Sequence, residues 1–257
     1  MSPDPNWTAL VLAGSRPGTD SFAASHGTDL KALIPVAGEA MVRRPVRALL
    51  ASHGIVKIRV LTQQPERIGA ALPADPRLTV ERSDATIAAT LAVVCADPGT
   101  QWPVLVTTAD HALLDEAMIA DFIARASGAD LAIGVVEALP LLKRLPATRR
   151  TWIGFRGGRY SGANLFALGS PRAAKAIELW RGVEQNRKKG WKLLATFGVS
   201  GLLGLLRLRS LHQTTASIGR RLGLDLRAIE MRNPLAAVDV DKPADHELVE
   251  AILAGRA

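Results

Sequence analysis

Residues 10–38 read LVLAGSRPGTDSFAASHGTDLKALIPVAG. The apolar run from Ala9 to Ala13 stops at Gly14-Ser15-Arg16-Pro17-Gly18, and a polar gap then leads to Lys31 in KALIPVAGEAM. A buried strand that breaks into a loop of small residues presents backbone N–H groups to an anion, because no Cβ blocks the approach. Arg16 and Lys31 add the positive charge a triphosphate attracts, the arginine as a planar fork and the lysine as a point charge. The spacing fits neither G-x-x-x-x-G-K-[ST] nor G-x-G-x-x-G, which sets aside the P-loop and the dinucleotide fingerprint.

Outward from this segment, short apolar runs alternate with helical patterns. Val56 to Leu61, Arg77 to Val80, Val104 to Thr108 and Leu131 to Val136 read as strands, separated by helix-like stretches near 41–53, 85–96 and 115–127. Asp115 is placed to cap the last of these. Such alternation predicts an α/β fold with a mostly parallel sheet covered on both faces, whose sites lie at the C-terminal strand ends. Gly14 and Asp110 both fall at that edge. Farther on, LPLLKRLPATRR reads as a loop or crossover, and GGRYSGANLFAL as a strand reaching Leu168. A helix follows from Ser170-Pro171 to about Trp180, then a basic helical block over 184–223. DLRAIEM is strand-like, AAVDVD a last short strand, and Pro243 to Leu253 a terminal helix. One domain over 1–257 is expected, with 184–223 as a helical insertion or lid.

Composition narrows the partners. The 257 residues carry a net charge of +8, yet only 4% are aromatic and there is a single tyrosine, so a stacking platform for nucleic acid is lacking. Small anionic substrates account for part of the charge. One cysteine, Cys95, and no basic-then-apolar leader point to a cytoplasmic protein.

The acids complete the chemistry. Asp110 ends the apolar strand PVLVTTA, where a carboxylate facing the phosphate loop can hold Mg²⁺. Asp239 and Asp241 in VDVDKPADHELVEAIL share one face by alternation. Asp239 is the better second metal ligand on this reading, with Asp241 also capping the helix that begins near Pro243, although the sequence does not decide between them. Asp245 reads as a dipole partner in that helix's first turn. His111 reads as a hydrogen-bonded edge histidine and not a general base, since an ionised phosphate acceptor needs none.

These residues resemble the nucleotidyltransferases related to molybdenum-cofactor guanylyltransferase and to the sugar-phosphate nucleotidyltransferases. The likeness lies in Leu12-Ala13-Gly14-Ser15-Arg16 against L-A-G-x-R, and in Lys31 to Gly38 against K-x-L-x-x-v-x-G. It continues in Asp110 against D-x-P-x-L, with Ala112 in place of the proline, and in the acidic pair before Lys242-Pro243. The resemblance implies a Rossmann-like GT-A fold and transfer of NMP from an NTP to a phosphorylated acceptor, with Mg²⁺ and release of pyrophosphate. Leu12 to Arg16, Gly18 and Lys31 would hold the triphosphate, and Ser83 and Thr86 stand where relatives bind the base, without their usual glycine. Ser161-Gly162-Ala163-Asn164 resembles the S/T-G-x-N/Y stretch beside the acceptor.

The block around Arg187, Lys188 and Lys192 has three readings: a lid whose cations meet the acceptor phosphate, an interfacial segment on anionic membrane, or buried helices with a solvated basic end. The basic insertion suits a phosphorylated polyol, sugar or lipid-head-group precursor, and CTP is favoured over GTP. The alternatives are a guanylyltransferase for a pterin cofactor and a non-catalytic nucleotide-binding protein at a membrane surface. A glycosyltransferase of the same fold would not need the Arg–Lys triphosphate loop.

Overall fold

Side-chain alternation decides the central strand: Trp7, Ala9 and Val11 enter one apolar layer and Leu10 the opposite one, all buried. A strand buried on both faces has to read as an unbroken apolar run, which is how this one was recognisable. The computed structural model describes residues 6–15, 18, 20–185 and 208–256. In chain order its strands are β1 (Trp7–Leu12), β2 (Pro35–Val36), β3 (Glu39–Ala40), β4 (Ile55–Thr62), β5 (Leu78–Arg82), β6 (Val104–Thr108), β7 (Leu131–Glu137), β8 (Ile153–Phe155), β9 (Gly158–Leu168) and β10 (Leu226–Glu230). The α-helices are α1 (Ser21–Ser25), α2 (Arg43–Ala51), α3 (Pro65–Ala70), α4 (Ile87–Ala96), α5 (Glu116–Ala126), α6 (Ala138–Arg144), α7 (Ala174–Gln185), α8 (Leu211–Leu222) and α9 (Pro243–Leu253).

The main sheet runs β10-β7-β9-β6-β1-β4-β5, with β8 paired to β9, while β2 and β3 form a separate ribbon. β1 is parallel to β4 and β6, and β5 and β10 extend the parallel pattern; β9 runs antiparallel between β6 and β7. This is the mixed, mostly parallel α/β sheet that the sequence led us to expect. Val46 and Leu49 of α2 and Met118, Ile119 and Phe122 of α5 pack on the Ala9/Val11 face. Leu91 and Val94 of α4 and Ile177 of α7 cover the Leu10 face. Each such side chain contributes about 1.5–3 kcal/mol by burial, so the two layers hold the strand ends in fixed positions. Cys95 belongs to the second layer, and burial pushes its thiol up to about 11, leaving it a packing residue.

Local signals fix several boundaries. Asp115 accepts a hydrogen bond from the Met118 N–H at 2.7 Å and starts α5, and Ser170 caps the 3₁₀ turn before α7. Ser210 and Gln213 form a capping box at α8, which Gly223 ends at φ 69°.

Two expectations are corrected. LPLLKR is helical, because Pro140 falls in the first turn of α6, where its missing N–H is not needed. AAVDVD forms no sheet ladder: Pro234–Ala237 is a 3₁₀ turn and 238–241 is irregular chain, with Val238 and Val240 buried. Of the basic block 184–223, residues 186–207 lie outside the described residues, and 211–222 form α8 against β10. Among the described residues no helix is long and apolar enough to cross a membrane.

Candidate active site

Because β1 and β6 are parallel neighbours with Leu12 opposite Thr108, Gly14-Ser15 and Asp110 emerge side by side. Ala109 N–H still donates to Leu12 C=O at 3.0 Å, so the two loops separate only after that bond. The side chain of Gln63, just past β4, grips Ser15: it accepts from the Ser15 N–H at 2.9 Å and donates to the Ser15 carbonyl at 3.3 Å. A Cβ on Gly14 would stand 3.1 Å from Gln63 Nε2, so a glycine there leaves room for the grip. Gly18 follows at φ 108° with open space around it. Arg16 lies outside the described residues.

Lys31 opens a 3₁₀ turn, Lys31–Leu33, that runs into the β2–β3 ribbon. Its Nζ donates to Asp110 Oδ2 at 2.7 Å and to Asp241 Oδ1 at 2.5 Å. Burial pulls the ammonium pKa down, but the two carboxylates more than offset this and hold it above its ordinary value. Asp110 is itself oriented by Thr108, whose hydroxyl donates to Oδ1 at 2.5 Å, and its carbonyl accepts from the Val240 N–H at 3.1 Å. That backbone bond brings the irregular chain of 238–241 to the strand end. The ribbon is tied to α9 as well: Glu250 Oε1 accepts from the Ala37 N–H at 2.6 Å, and His246 Nε2 meets the Pro35 carbonyl at 2.6 Å.

Asp239, favoured from the sequence as the partner of Asp110, is engaged elsewhere. Arg150, 8% exposed at its side chain, pairs with the Asp239 carboxylate and donates to the Asp239 carbonyl at 3.0 Å. Asn164 donates to the other Asp239 oxygen at 3.0 Å. Asp241, two residues on, is the acid that shares Lys31 with Asp110. The N-cap position of α9 is Lys242, without a side-chain cap, and Asp245 reaches back to accept from the Asp241 N–H at 3.2 Å. Burial pulls the Arg150 guanidinium below its ordinary value, and Asp245, Asp241 and Asp110 oppose it.

The remaining candidates spread along the same sheet edge. Ser83, just past β5, bonds through its hydroxyl to Thr90 at 2.9 Å, and Thr86 caps α4. Ser161 and Gly162 lie in β9 opposite Val136 and Val135, and a Cβ on Gly162 would meet nothing within 4 Å. Asn164 takes φ 48°, at a register shift in the β7–β9 pairing that turns its amide toward Asp239. Arg187 and Lys188 lie outside the described residues. His111 is wholly buried rather than at an edge; burial pushes it down to about 4, so it is neutral, and Nδ1 meets the Thr107 hydroxyl at 3.2 Å. A cavity of about 340 Å³ between α6 and the β8–β9 hairpin, lined by Leu139, Leu142, Phe155 and Arg159 among others, excludes Lys31, Asp110 and Asp241.

Sequence reasoning missed Arg150 and Gln63. The only signal for the first was a proline-flanked run of basic residues, and for the second two polar residues at a strand's end.

A mostly parallel α/β sheet flanked by helices, whose strand ends gather a glycine loop, a lysine and two aspartates, has the architecture of a nucleotidyltransferase fold. The family model of the MobA-like NTP transferase domain matches residues 9–195, and the chain belongs to that family. It is similar to a hypothetical transferase from Thermus thermophilus, with 30% identity, a TM-score of 0.77, and coverage of 93% of this chain and 98% of that one. The fold alone is shared with 4-diphosphocytidyl-2C-methyl-D-erythritol synthase of Anaerococcus prevotii, at 10% identity, a TM-score of 0.59 and coverage of 97% and 96%. CMP:2-keto-3-deoxy-manno-octonic acid synthetase complexed with CTP is a further fold relative, at 14% identity, a TM-score of 0.59 and coverage of 98% and 100%. No protein of curated function matches.

Proposed function

We propose that this transferase moves CMP from CTP to the phosphate of a small polyol, sugar or lipid-head-group precursor. An acceptor phosphate oxygen attacks the α-phosphorus, a new P–O bond forms, and the bond to the bridging oxygen breaks, its electron pair leaving with pyrophosphate. Such a reaction asks for in-line placement of two polyanions and neutralisation of their charge more than for proton transfer. The neutral, buried His111 fits a site without a general base.

The observation that carries this reading is the meeting of Lys31, Asp110 and Asp241 beside the Gly14-Ser15 loop. Lys31 neutralises polyphosphate charge, with Arg16 assigned the same task from its place in the sequence. Gln63 fixes the course of the loop. Ser83 and Thr86 stand on the base side of the edge; Ser161, Gly162 and Asn164 stand on the acceptor side, where Arg187 and Lys188 are assigned to the acceptor phosphate from sequence.

Among the described residues no three acidic, histidine or cysteine side chains form a protein-only metal cage. Two carboxylates that already share one cation do fit Mg²⁺, which takes one or two carboxylates and completes its shell with phosphate and water. Asp110 and Asp241 would hold it, and when bound it supplies charge neutralisation at the nucleotide phosphates. CTP is supported by two fold relatives, one named for a diphosphocytidyl product and one for CMP and complexed with CTP. Pyrophosphate release measured with each of the four NTPs against phosphorylated polyols, sugars, alcohols and a pterin acceptor tests the reading. CTP with one of the first three classes is the expected pair; no release from folded enzyme with any pair refutes transfer, and GTP with the pterin moves the protein to the guanylyltransferase class.

A further inference from the structure

We propose that Lys31 is the resident cation of the nucleotide-free cleft: its ammonium fills the seat between Asp110 and Asp241 that a divalent ion takes when nucleotide is bound. The inference rests on the transferase reading above and adds an order to its binding steps. Nζ lies 2.7 Å from Asp110 Oδ2 and 2.5 Å from Asp241 Oδ1, the spacing of charge-assisted bonds. A divalent ion using the same two oxygens would need to sit about 2.0–2.6 Å from them, on top of the ammonium. The two cations therefore exclude one another.

Among the described residues, the neighbouring carboxylate oxygens are engaged. Asp110 Oδ1 is taken by Thr108, and both Asp239 carboxylate oxygens are bonded, one to Arg150 and one to Asn164. The backbone under Lys31 is fixed, since Ile34 N–H closes the 3₁₀ turn on the Lys31 carbonyl at 3.1 Å and α9 clips the ribbon that follows. Its four-carbon stem is not fixed and can swing. A triphosphate arriving beside Ser15 supplies an alternative anion for the ammonium, so nucleotide binding draws the ammonium away from the two carboxylates. Metal and nucleotide then bind with positive coupling, each raising the affinity of the other. Bare metal binds weakly to the free enzyme.

Mn²⁺ alone, titrated by EPR into wild-type protein and into Lys31→Met without nucleotide, tests this. The variant loses all turnover on the transferase reading, yet it is expected to bind Mn²⁺ about tenfold more tightly than wild type, or better, because no ammonium competes for Asp110 and Asp241. Equal or weaker binding overturns the proposal. Lys31→Gln repeats the measurement should methionine disturb folding. Anomalous scattering from Lys31→Met crystals soaked in Mn²⁺ is expected to place the ion between Asp110 and Asp241; a peak elsewhere also overturns it. Uptake of Mn²⁺ by wild-type protein on addition of each NTP tests the coupling, and its absence with all four overturns that step; pyrophosphate release judges the parent reading separately, and its failure would leave the tightening in Lys31→Met to be scored by itself.

Discussion

Replacing Arg150 by methionine is expected to destabilise the fold. The guanidinium is 8% exposed, bonds both the carboxylate and the carbonyl of Asp239, and lies 4.0 Å from Asp245. Methionine keeps much of the volume but leaves Asp239 with only Asn164 as its partner, beside the buried Asp245. Removing one partner of a buried ion pair costs about 3–5 kcal/mol, chiefly because the other charge stays desolvated. For a protein of this size each kcal/mol moves Tm by roughly 2–4 °C, so the variant should melt about 10 °C lower. Adding Asp239→Asn removes the stranded charge, and the double variant should recover about 1–3 kcal/mol relative to the sum of the singles. Calorimetry of the four proteins at pH 7 measures both quantities. An Arg150→Met shift below about 2 °C, or strictly additive singles, would show that the pair does not hold the 238–241 segment in place.

His111 gives stability a pH slope. Its folded value, near 4, lies below the unfolded 6.5, so its contribution is complete above pH 6.5 and is lost as the pH falls toward 4. Urea unfolding at pH 7.5 and 5 should differ by about 2 kcal/mol from this group, and His111→Gln should lack that part of the slope; a variant with the wild-type slope contradicts it. Gln63→Ala should lower kcat/KM for NTP about 5- to 30-fold by freeing Ser15, and Gly14→Ala should do likewise by crowding Gln63 Nε2; steady-state kinetics with unchanged values in both removes the grip from the mechanism. Asp241→Asn should abolish nucleotide-dependent Mn²⁺ uptake, whereas Asp239→Asn should weaken it only about 10- to 100-fold as a supporting residue; the reverse order would restore Asp239 as the ligand.

What could be read from the chain was whatever its near neighbours along the sequence decide. β6 and α9 match their expected spans because an apolar run and a proline-led amphipathic stretch are local patterns. The edge carrying Gly14 and Asp110 followed from parallel topology. Alternation in AAVDVD reported the burial of Val238 and Val240, but a ladder also needs a partner strand, and this segment's bond to the site is Val240 to the Asp110 carbonyl. That Asp241, and not Asp239, shares Lys31 with Asp110 depends on where Arg150 and Asn164 stand, 89 and 75 residues before Asp239, and no local pattern carries that. The reversed β9 is likewise decided by the packing of the sheet as a whole.

The clip between the β2–β3 ribbon and α9 joins two segments more than 200 residues apart along the chain. Until Asp241 and the helix behind it have left the ribosome, Lys31 has only half its seat and the ribbon has nothing to lean on. A chain nicked ahead of Val240 would still possess the glycine loop and yet lose its covalent hold on the acid that shares Lys31 with Asp110.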